Sequence, residues 1–505
     1  MDEVKNPPVI KVKDFGVIKE GEVKLKPLTI FFGKNNTGKT YMGYLIWGLN
    51  GITIGSNGNL KNRDKLRKII YNKLNELLDN NASPTNIMID GVSIDLKGDL
   101  KNIFNKDIEC GVVEITKKIV DLRLNIAYIS DVDEYRSWMS NYLNRNDDEH
   151  FKIGLLINSG DILGGDENSY SIIITTNDIT VRVWSKESIK KEINSIIDHI
   201  LDGILYINKS YGSNSLFIPA SKSGFVLLSK YLAKSSVSNI LGDGIQTTLV
   251  KYNNAEINYN EGLSIENNSM PKPMIKFITS LPNYSEGYFE EINEEYKEIV
   301  EFLQDNLING KLGYNNQLKS VSYIPKSDGV KIPLQYSSSL VVESSPLLMY
   351  LAHSKYIGKG TQLIIEEPEA HLHPDAQRIY ARALVRLINK GVRVLLITHS
   401  PYILQQINNC MKLSYLKEMG KEEELDEFLM KHGYEEDDIL DQNLISPYIF
   451  DDEKKGSGVV IRELDIIENE GISYEAFYPV LKELHDETEE LRDLMDEGEY
   501  GETEE

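Results

Sequence analysis

The chain has 505 residues, of which 41% are hydrophobic, and its 55 Lys and Arg against 78 Asp and Glu give a formal net charge of −23. Its length suits about three domains or one large α/β unit with insertions, and its acidity excludes a general polyanion binder. The cysteines, Cys110 and Cys410, form neither a disulfide framework nor a metal motif, and no apolar run has the length of a membrane helix. Because the N-terminus also lacks the apolar core of a signal peptide, we expect a cytoplasmic protein without membrane contact.

The N-terminal part begins with a strand, a glycine-rich turn and a helix. Residues 28–32 form a short apolar run, GKNNTGKT follows at 33–40, and YMGYLIWGL predicts the helix. A second helix is predicted at 60–80, and β signals dominate 89–185, which end in a hairpin. The second helix carries a basic patch that we interpret as a solvated face rather than a nucleic-acid contact. The patch comprises Lys61, Arg63, Lys65, Arg67 and Lys68.

Helical and strand patterns alternate through the middle of the chain. Helical patterning covers 187–203, a strand follows at 215–218, and a turn occupies 219–224. From Phe289 to Gly310 the apolar residues recur at 3-4 spacing. Because this pattern lasts for only two heptads, it predicts a packed helix rather than a coiled coil.

A second strand–helix–strand pattern follows in the C-terminal part. Short apolar runs at 363–365 and 392–397 flank a helix predicted at 375–390, and Gly391 ends that helix. This spacing implies parallel pairing of the two strands. Residues 486–505 hold eleven acidic residues and one arginine, so we expect this tail to be disordered. The stretch from Tyr474 to Met495 also has the pattern of an amphipathic, acidic helix, which either docks a partner or caps the fold.

The glycine-rich turn fits the phosphate-binding pattern G-x-x-x-x-G-K-[ST]. Its glycines let the backbone wrap around phosphates, its amides donate to them, Lys39 adds a point charge, and Thr40 offers a hydroxyl to Mg²⁺. Because the pattern lies between a strand and a helix, it predicts a nucleoside-triphosphate site. The predicted cofactor-binding residues here are Gly33, Lys34, Asn35, Asn36, Thr37, Gly38, Lys39, Thr40 and Tyr41.

Acidic residues and a histidine follow the two C-terminal strands. Glu366 is expected to bind Mg²⁺ with Thr40, and Glu367 to orient or deprotonate the attacking water. His399 follows the strand at 392–397, where a neutral imidazole can sense a γ-phosphate. Without the phosphate-binding pattern, the paired carboxylates would fit a plain surface turn equally well, and His399 would fit a structural histidine. The presence of that pattern favours functional roles for all three residues. We therefore predict Glu367 and His399 as catalytic residues.

A metal site is an alternative interpretation of the segment EAHLHP. Glu369, His371 and His373 cluster in this segment. However, no further ligand has the spacing of a zinc site, and a loop at a subunit contact explains the cluster equally well. We favour the loop.

The two halves of the predicted nucleotide site lie far apart in the chain. Thr40 and Glu366 are separated by 366 − 40 = 326 residues, so one site is assembled around a long insertion. This spacing excludes small-GTPase-like and simple kinase interpretations. The segments KPLTIFFGKNNTGKT, LIIEEPEAHLHPDAQ and LLITHSPYIL, in this order and spacing, resemble those of ABC-type ATPases of the SMC, RecF and OLD group.

The resemblance covers most of the chain and implies an α/β fold. This fold would be an ABC/SMC-like P-loop NTPase head with a mixed β lobe and a helical insertion. The expected segments are a split ATPase core at 1–60 and 320–450, an N-lobe with helices and a β-rich segment at 61–215, a helical insertion at 216–319, a C-terminal segment at 451–485 and an acidic tail at 486–505.

The resemblance also implies a homodimer or higher homo-oligomer that sandwiches ATP and Mg²⁺ between subunits. Each site would be completed by a serine-bearing signature loop of the partner, for which Ser338 and Ser339 are the candidates and a plain serine-rich turn is the alternative. The signature lacks the glycines of transporter-type ATPases, and no glutamine lies between Thr40 and Gln246, so the usual glutamine loop is missing. FIPASKSGF resembles a PA-x-R segment of defence-associated members, with Lys222 in place of arginine; it is either a link between lobes or a structural turn.

Two functions fit the resemblance. The chain is similar to the AriA-like sensor ATPases of PARIS anti-phage defence, which implies a separate effector such as a Toprim nuclease and a phage-encoded trigger. The alternative is a RecF- or Rad50-like DNA-repair ATPase that clamps DNA. The net charge and the lack of long heptads favour the first. In both, ATP joins two heads through Lys39, Thr40 and Ser339, and hydrolysis by Glu367 releases them.

Overall fold

The computed structural model describes residues 7–49, 63–80, 85–104, 106–128, 153–157, 170–174, 178–183, 186–209, 214–220, 222–227, 270–280, 293–315, 320–327, 329–352, 356–452 and 458–499. Its helices are α1 Lys39–Gly48, α2 Arg63–Asn80, α3 Leu100–Phe104, α4 Lys186–Lys209, α5 Lys272–Ser280, α6 Lys297–Asn306, α7 Ser339–Leu351, α8 Pro374–Asn389, α9 Pro401–Glu418, α10 Glu422–His432 and α11 Tyr478–Glu499. Its strands are β1 Val9–Phe15, β2 Ile18–Lys24, β3 Leu28–Gly33, β4 Thr85–Asp95, β5 Val112–Tyr128, β6 Ile153–Ile157, β7 Tyr170–Ile174, β8 Asp178–Val183, β9 Ser215–Ile218, β10 Gly310–Asn315, β11 Ser320–Pro325, β12 Ile332–Pro333, β13 Gln362–Glu366, β14 Arg393–Ile397, β15 Ile445–Asp451, β16 Val459–Glu463, β17 Ile466–Ile467 and β18 Gly471–Ile472.

The chain divides into two compact units. The first comprises Met1–Phe15, Gly48–Asn102 and Asp107–Tyr211, and the second comprises Gly16–Trp47, Ile103–Lys106 and Gly212–Glu505.

The first unit contains a mixed sheet in the order β6-β7-β8-β5-β1, in which β4 also pairs with β5. Strands β7 and β8 form the predicted hairpin, with Ile172 opposite Val181, whereas β5 and β8 are parallel. Helix α2 contacts α4 through Asp198, which pairs with Arg67 at 2.5 Å and Arg63 at 3.1 Å. Two residues of the basic patch are thus already paired; Lys61 lies outside the described residues.

The second unit is built on a sheet in the order β2-β16-β15-β3-β14-β13-β9. From β15 to β9 all neighbours are parallel, including β13 and β14, where Leu363 is opposite Val394. Their parallel pairing confirms the prediction from sequence. All five residues of β13 are buried, as expected for a strand with both faces covered. The carboxyl ends of β3, β14 and β13 therefore meet at one edge of the sheet.

Helix α6 is the described part of the helix predicted from Phe289. Its residues Ile299 and Leu303 are fully buried in the core, which confirms a packed helix, while Phe289 lies outside the described residues. Within the ranges given above, the structure contains no helix with both the length and the apolarity needed to cross a membrane.

The C-terminal part differs from expectation in two ways. Strand β15 lies between β3 and β16, so the sheet includes residues beyond 450. The expectation of disorder from residue 486 is wrong up to Glu499, because α11, which corresponds to the helix predicted from Tyr474 to Met495, extends to that residue. Its leucines and glutamates are strong helix formers, and Arg492 pairs with Glu489 one turn earlier at 2.6 Å.

Candidate functional site

The phosphate-binding loop connects β3 to α1 through a backbone that needs glycine. Gly33, Asn36 and Gly38 have φ values of 133°, 62° and 91°. A Cβ atom on Gly33 would lie 2.5 Å from the carbonyl oxygen of Phe450, and one on Gly38 would lie 2.8 Å from the side chain of Ile18. Gly33 and Gly38 are therefore closed to larger residues, both by their positive φ and by the lack of space for a Cβ atom.

Lys39, the first residue of α1, points its ammonium back into the loop. Its Nζ donates to the carbonyl oxygens of Gly33 at 3.0 Å and Lys34 at 2.5 Å, and to the hydroxyl of Thr37 at 3.2 Å. Burial lowers the pKa of Lys39 to about 8, although the nearby Glu367 and Glu366 carboxylates oppose the shift. The loop thus holds a buried cation where anionic oxygens would approach it.

Thr40 and Glu366 meet at the sheet edge. The Thr40 hydroxyl is hydrogen-bonded to the Glu366 carboxyl. Burial raises the pKa of Glu366 despite this bond and one from the backbone amide of Ala220, at 3.4 Å from Oε2. The other oxygen, Oε1, is buried without a hydrogen-bond partner in the part of the chain described. A hydroxyl beside an unsatisfied carboxylate oxygen is a donor set that fits Mg²⁺.

Glu367 has a backbone conformation rarely adopted by residues other than glycine, with φ at 43°. Its amide donates to the carbonyl oxygen of Ile397 at 2.8 Å, and its own carbonyl accepts from Nζ of Lys222 at 3.0 Å. The side chain is half-buried, and its charge acts on both Lys39 and His399. A carboxylate in this position can accept a proton from water.

Glu369 fixes the backbone that carries His399. Its Oε1 accepts from the His399 amide at 2.5 Å, and its Oε2 accepts from the Thr398 hydroxyl at 2.8 Å. Burial raises the pKa of Glu369, with these hydrogen bonds opposing. Burial, together with the charge of Lys39, lowers the pKa of His399, so the imidazole is neutral at neutral pH. The sequence did not predict this role of Glu369. The one indication in the sequence is that Glu369 lies three residues after Glu366, in the same turn at the end of β13.

Ser338 and Ser339 lie at the start of α7. Ser338 is the N-cap residue and Ser339 the first helical residue, and both are exposed. Neither hydroxyl bonds to the phosphate-binding loop among the contacts of the described chain.

Tyr41, the last of the predicted cofactor-binding residues, packs its ring on Phe104 at 5.2 Å between centroids, and Lys106 donates to its hydroxyl at 3.2 Å.

The metal alternative for EAHLHP finds no support. Glu369 is engaged with the His399 backbone, and Nδ1 of His373 accepts from the Asp375 amide at 3.4 Å to cap α8. His371 occupies a turn with φ at 59°. Across the ranges that the structure describes, no group of three or more His, Cys, Asp or Glu side chains is arranged to hold a metal ion.

These groups form one charged cluster at the end of three neighbouring strands. Lys39 and Thr40 begin α1, directly after the loop that follows β3. Glu366 ends β13 and Glu367 follows it, and His399 lies in the turn after β14. Residues more than 300 positions apart are therefore neighbours. Such a site can bind phosphates, hold a hard cation and activate water.

Comparisons with known proteins place this geometry in context. The sequence model of the AAA ATPase domain family matches residues 9–404. Together with the parallel sheet, this match confirms the predicted α/β P-loop NTPase fold. A comparison with curated protein sequences finds no significant match.

Solved structures similar to this chain include three SMC heads. An SmcHead bound to the C-winged helix domain of ScpA has 12% identity and a TM-score of 0.33, covering 90% of this chain and 97% of that one. The SMC head domain from Thermotoga maritima has 9% identity and a TM-score of 0.32, covering 91% and 98%. The Smc head domain with an extended coiled coil bound to the C-terminal domain of ScpA, derived from Pyrococcus furiosus, has 12% identity and a TM-score of 0.32, covering 95% and 100%.

Proposed function

This chain belongs to the AAA ATPase domain family, and on that basis we propose that it binds and hydrolyses ATP as a dimerising switch. The switch would be the sensor of an anti-phage defence system and would control a separate effector protein, such as a Toprim nuclease. The observation that carries the ATPase part is the meeting of Lys39, Thr40, Glu366 and Glu367 at one sheet edge.

Each residue of this cluster has one proposed task. The loop amides and Lys39 bind the phosphates, and Glu367 takes a proton from the attacking water while the Thr40 and Glu366 oxygens would hold Mg²⁺. Bound Mg²⁺ would neutralise charge on the phosphate oxygens. His399 stays neutral and donates a hydrogen bond toward the terminal phosphate, in an orientation set by Glu369.

Dimerisation is supported by the exposure of the signature serines. Ser338 and Ser339 stand at the N-terminus of a 13-residue helix, where amides are free to bind an anion, and they make no bond to their own phosphate-binding loop within the described structure. We assign them to the ATP bound by a second copy of the chain. ATP would then hold two heads together until hydrolysis separates them.

Control of an effector is supported by α11. The side chains of Leu481, Leu484, Leu491 and Leu494 are each more than half exposed. Acidic residues surround them, so like charge opposes pairing of α11 with a second copy of itself. The surface suits a partner protein with an apolar groove and a basic rim.

A pull-down tests both parts of the proposal. Tagged Glu367→Gln would be isolated from its native cells with ATP present, beside Lys39→Ala as a control that does not bind nucleotide, and each sample would be split for nuclease treatment. We expect a stoichiometric, nuclease-resistant protein partner whose recovery differs between the two variants. Recovery of DNA without such a partner would instead support the DNA-clamping alternative.

A further inference from the structure

Lys222 is a completely buried lysine, with 0% of its side chain exposed. Lysine is rarely found in this situation unless it is paired. Its Nζ lies 3.1 Å from Oε2 of Glu343 and donates to the backbone carbonyl of Glu367 at 3.0 Å. One ammonium therefore connects the proposed catalytic turn with another helix.

Glu343 lies on α7, one helical turn after Ser339, and is 1% exposed. Its charge adds to the effect of burial in raising the pKa of Tyr380, which is also buried. Lys222 is the cation that the structure places against Glu343 within the described residues. Because a buried carboxylate without a cation is strongly unfavourable, we expect Lys222 to help hold α7 in place.

Lys222 is one of the helical residues 222–227 that follow β9, and the backbone between β9 and these residues also contacts the proposed metal-binding residue. Strand β9 pairs in parallel with β13, with Ile218 opposite Ile365, so both strands end at the same sheet edge. The loop after β9 then donates the amide of Ala220 to Glu366 at 3.4 Å. The segment 219–222 thus contacts both Glu366 and Glu367. It contains no glutamine, so it differs in sequence from the glutamine loop that is missing in this chain.

We propose that Lys222 is a positioning residue that couples the nucleotide state of a subunit's own site to α7, and thereby to the serines it presents to the partner's site. The inference rests on the proposed function. When ATP or its hydrolysis moves the Glu367 turn, Lys222 must follow its carbonyl or lose that bond, and Glu343 is drawn with it. The two ATP sites of a dimer would then be linked through this bridge.

The bridge can be removed without leaving a buried charge. Lys222→Met alone leaves the buried Glu343 carboxylate without its cation. The double variant Lys222→Met/Glu343→Met instead replaces the pair with apolar side chains of similar volume, which proteins often tolerate. Lys222→Arg keeps the cation. Arg386→Met is the matched control, since it removes a buried cation elsewhere while Arg382 still pairs with Asp438.

The experiment measures ATP binding, turnover against ATP concentration, and thermal unfolding for all four proteins and the wild type. For the double variant we expect a KM within about twofold of wild type, kcat lower by about tenfold, and loss of cooperativity between sites. Lys222→Arg and Arg386→Met should keep kcat and cooperativity, even if Arg386→Met unfolds at a lower temperature.

A folded double variant with wild-type kcat and cooperativity would overturn the coupling and leave the bridge purely structural. Equal loss of kcat in Arg386→Met would overturn it too, because the effect would then follow general destabilisation. Failure of the wild type to bind ATP at all would reject the proposed ATPase function itself, which is a separate outcome visible in the binding measurement.

Discussion

The carboxylate of Glu369 accepts a hydrogen bond from the backbone amide of His399 at 2.5 Å, although 30 positions separate them in the chain. A second bond from Thr398, at 2.8 Å, fixes the same turn. Glu369 thus sets the direction of the His399 backbone without occupying the nucleotide site.

The pKa of His399 is lowered below its ordinary 6.5, first by burial and then by the charge of Lys39. A lowered pKa means that the ring becomes charged only as the pH falls below 6.5, where imidazolium would attract the terminal phosphate. We expect His399 to add a rise in ATP affinity only as the pH falls below 6.5, whereas Lys39, with a pKa of about 8, weakens binding above neutral pH whether or not His399 is present. Calorimetry should show that His399→Gln, which cannot titrate, loses this additional rise. An identical rise in both proteins would contradict the assignment.

Substitution of Lys39 removes the buried ammonium of the phosphate-binding loop. We expect Lys39→Ala to weaken ATP binding by about a hundredfold or more, because charge-assisted hydrogen bonds to phosphate are lost. Lys431→Ala, which changes an exposed lysine of α10, is the control and should bind ATP as the wild type does. Fluorescent-nucleotide titration measures both. If Lys39→Ala binds ATP with nearly the affinity of the wild type, the phosphates of ATP do not bind at Lys39.

Mixing two inactive variants tests the composite site. Ser339→Ala and Lys39→Ala should each hydrolyse little ATP, but a mixed dimer contains one site with Lys39 from one subunit and Ser339 from the other. Equal mixing should therefore restore roughly a quarter of wild-type turnover, since about half of the dimers are mixed and each has one intact site. Absence of any recovery, with mixed dimers shown to form, would argue that Ser339 does not act across subunits.

Asp438 holds a buried ion cluster apart from the site. It accepts from Arg382 at 2.7 Å and from Arg386 at 2.9 and 3.0 Å, and its side chain is fully buried. Asp438→Ala should lower the free energy of unfolding by about 3–5 kcal/mol, because Arg382 loses its anion and Arg386 retains only the exposed Glu435 among the ion-pair partners that the described residues give it. The exposed neighbour substitution Glu436→Ala should change it by less than about 0.5 kcal/mol. Urea denaturation compares them; equal effects would refute the role of the cluster.

Local patterns predicted the parts of the fold that local sequence determines. The glycine spacing around Lys39 and the short apolar strands at 363–365 and 392–397 specify a loop and parallel pairing. The position of β15 was not predictable in this way. Pro447 in the middle of that strand argues against a central position, yet β15 pairs with β3 on one side and β16 on the other.

Long-range polar contacts were beyond prediction for a different reason. Lys222 reads as a surface lysine in a polar turn, and only the fold buries it against Glu367, 145 positions away. Glu369 likewise resembles part of a metal cluster until the structure turns its carboxylate to the His399 amide. The helix from Tyr474 to Met495 was predictable from its apolar periodicity, whereas the acidic composition of residues 486–505 alone indicated disorder and did not predict where the helix ends.

The most direct test of an ATP-driven switch is single-turnover hydrolysis by Glu367→Gln, combined with light scattering in the presence of ATP. We predict that the variant binds ATP within about threefold of wild type, hydrolyses it at least about a hundredfold more slowly, and accumulates as a dimer. Brisk hydrolysis by Glu367→Gln would remove Glu367 from its role, and tight ATP binding by a persistent monomer would contradict the switch.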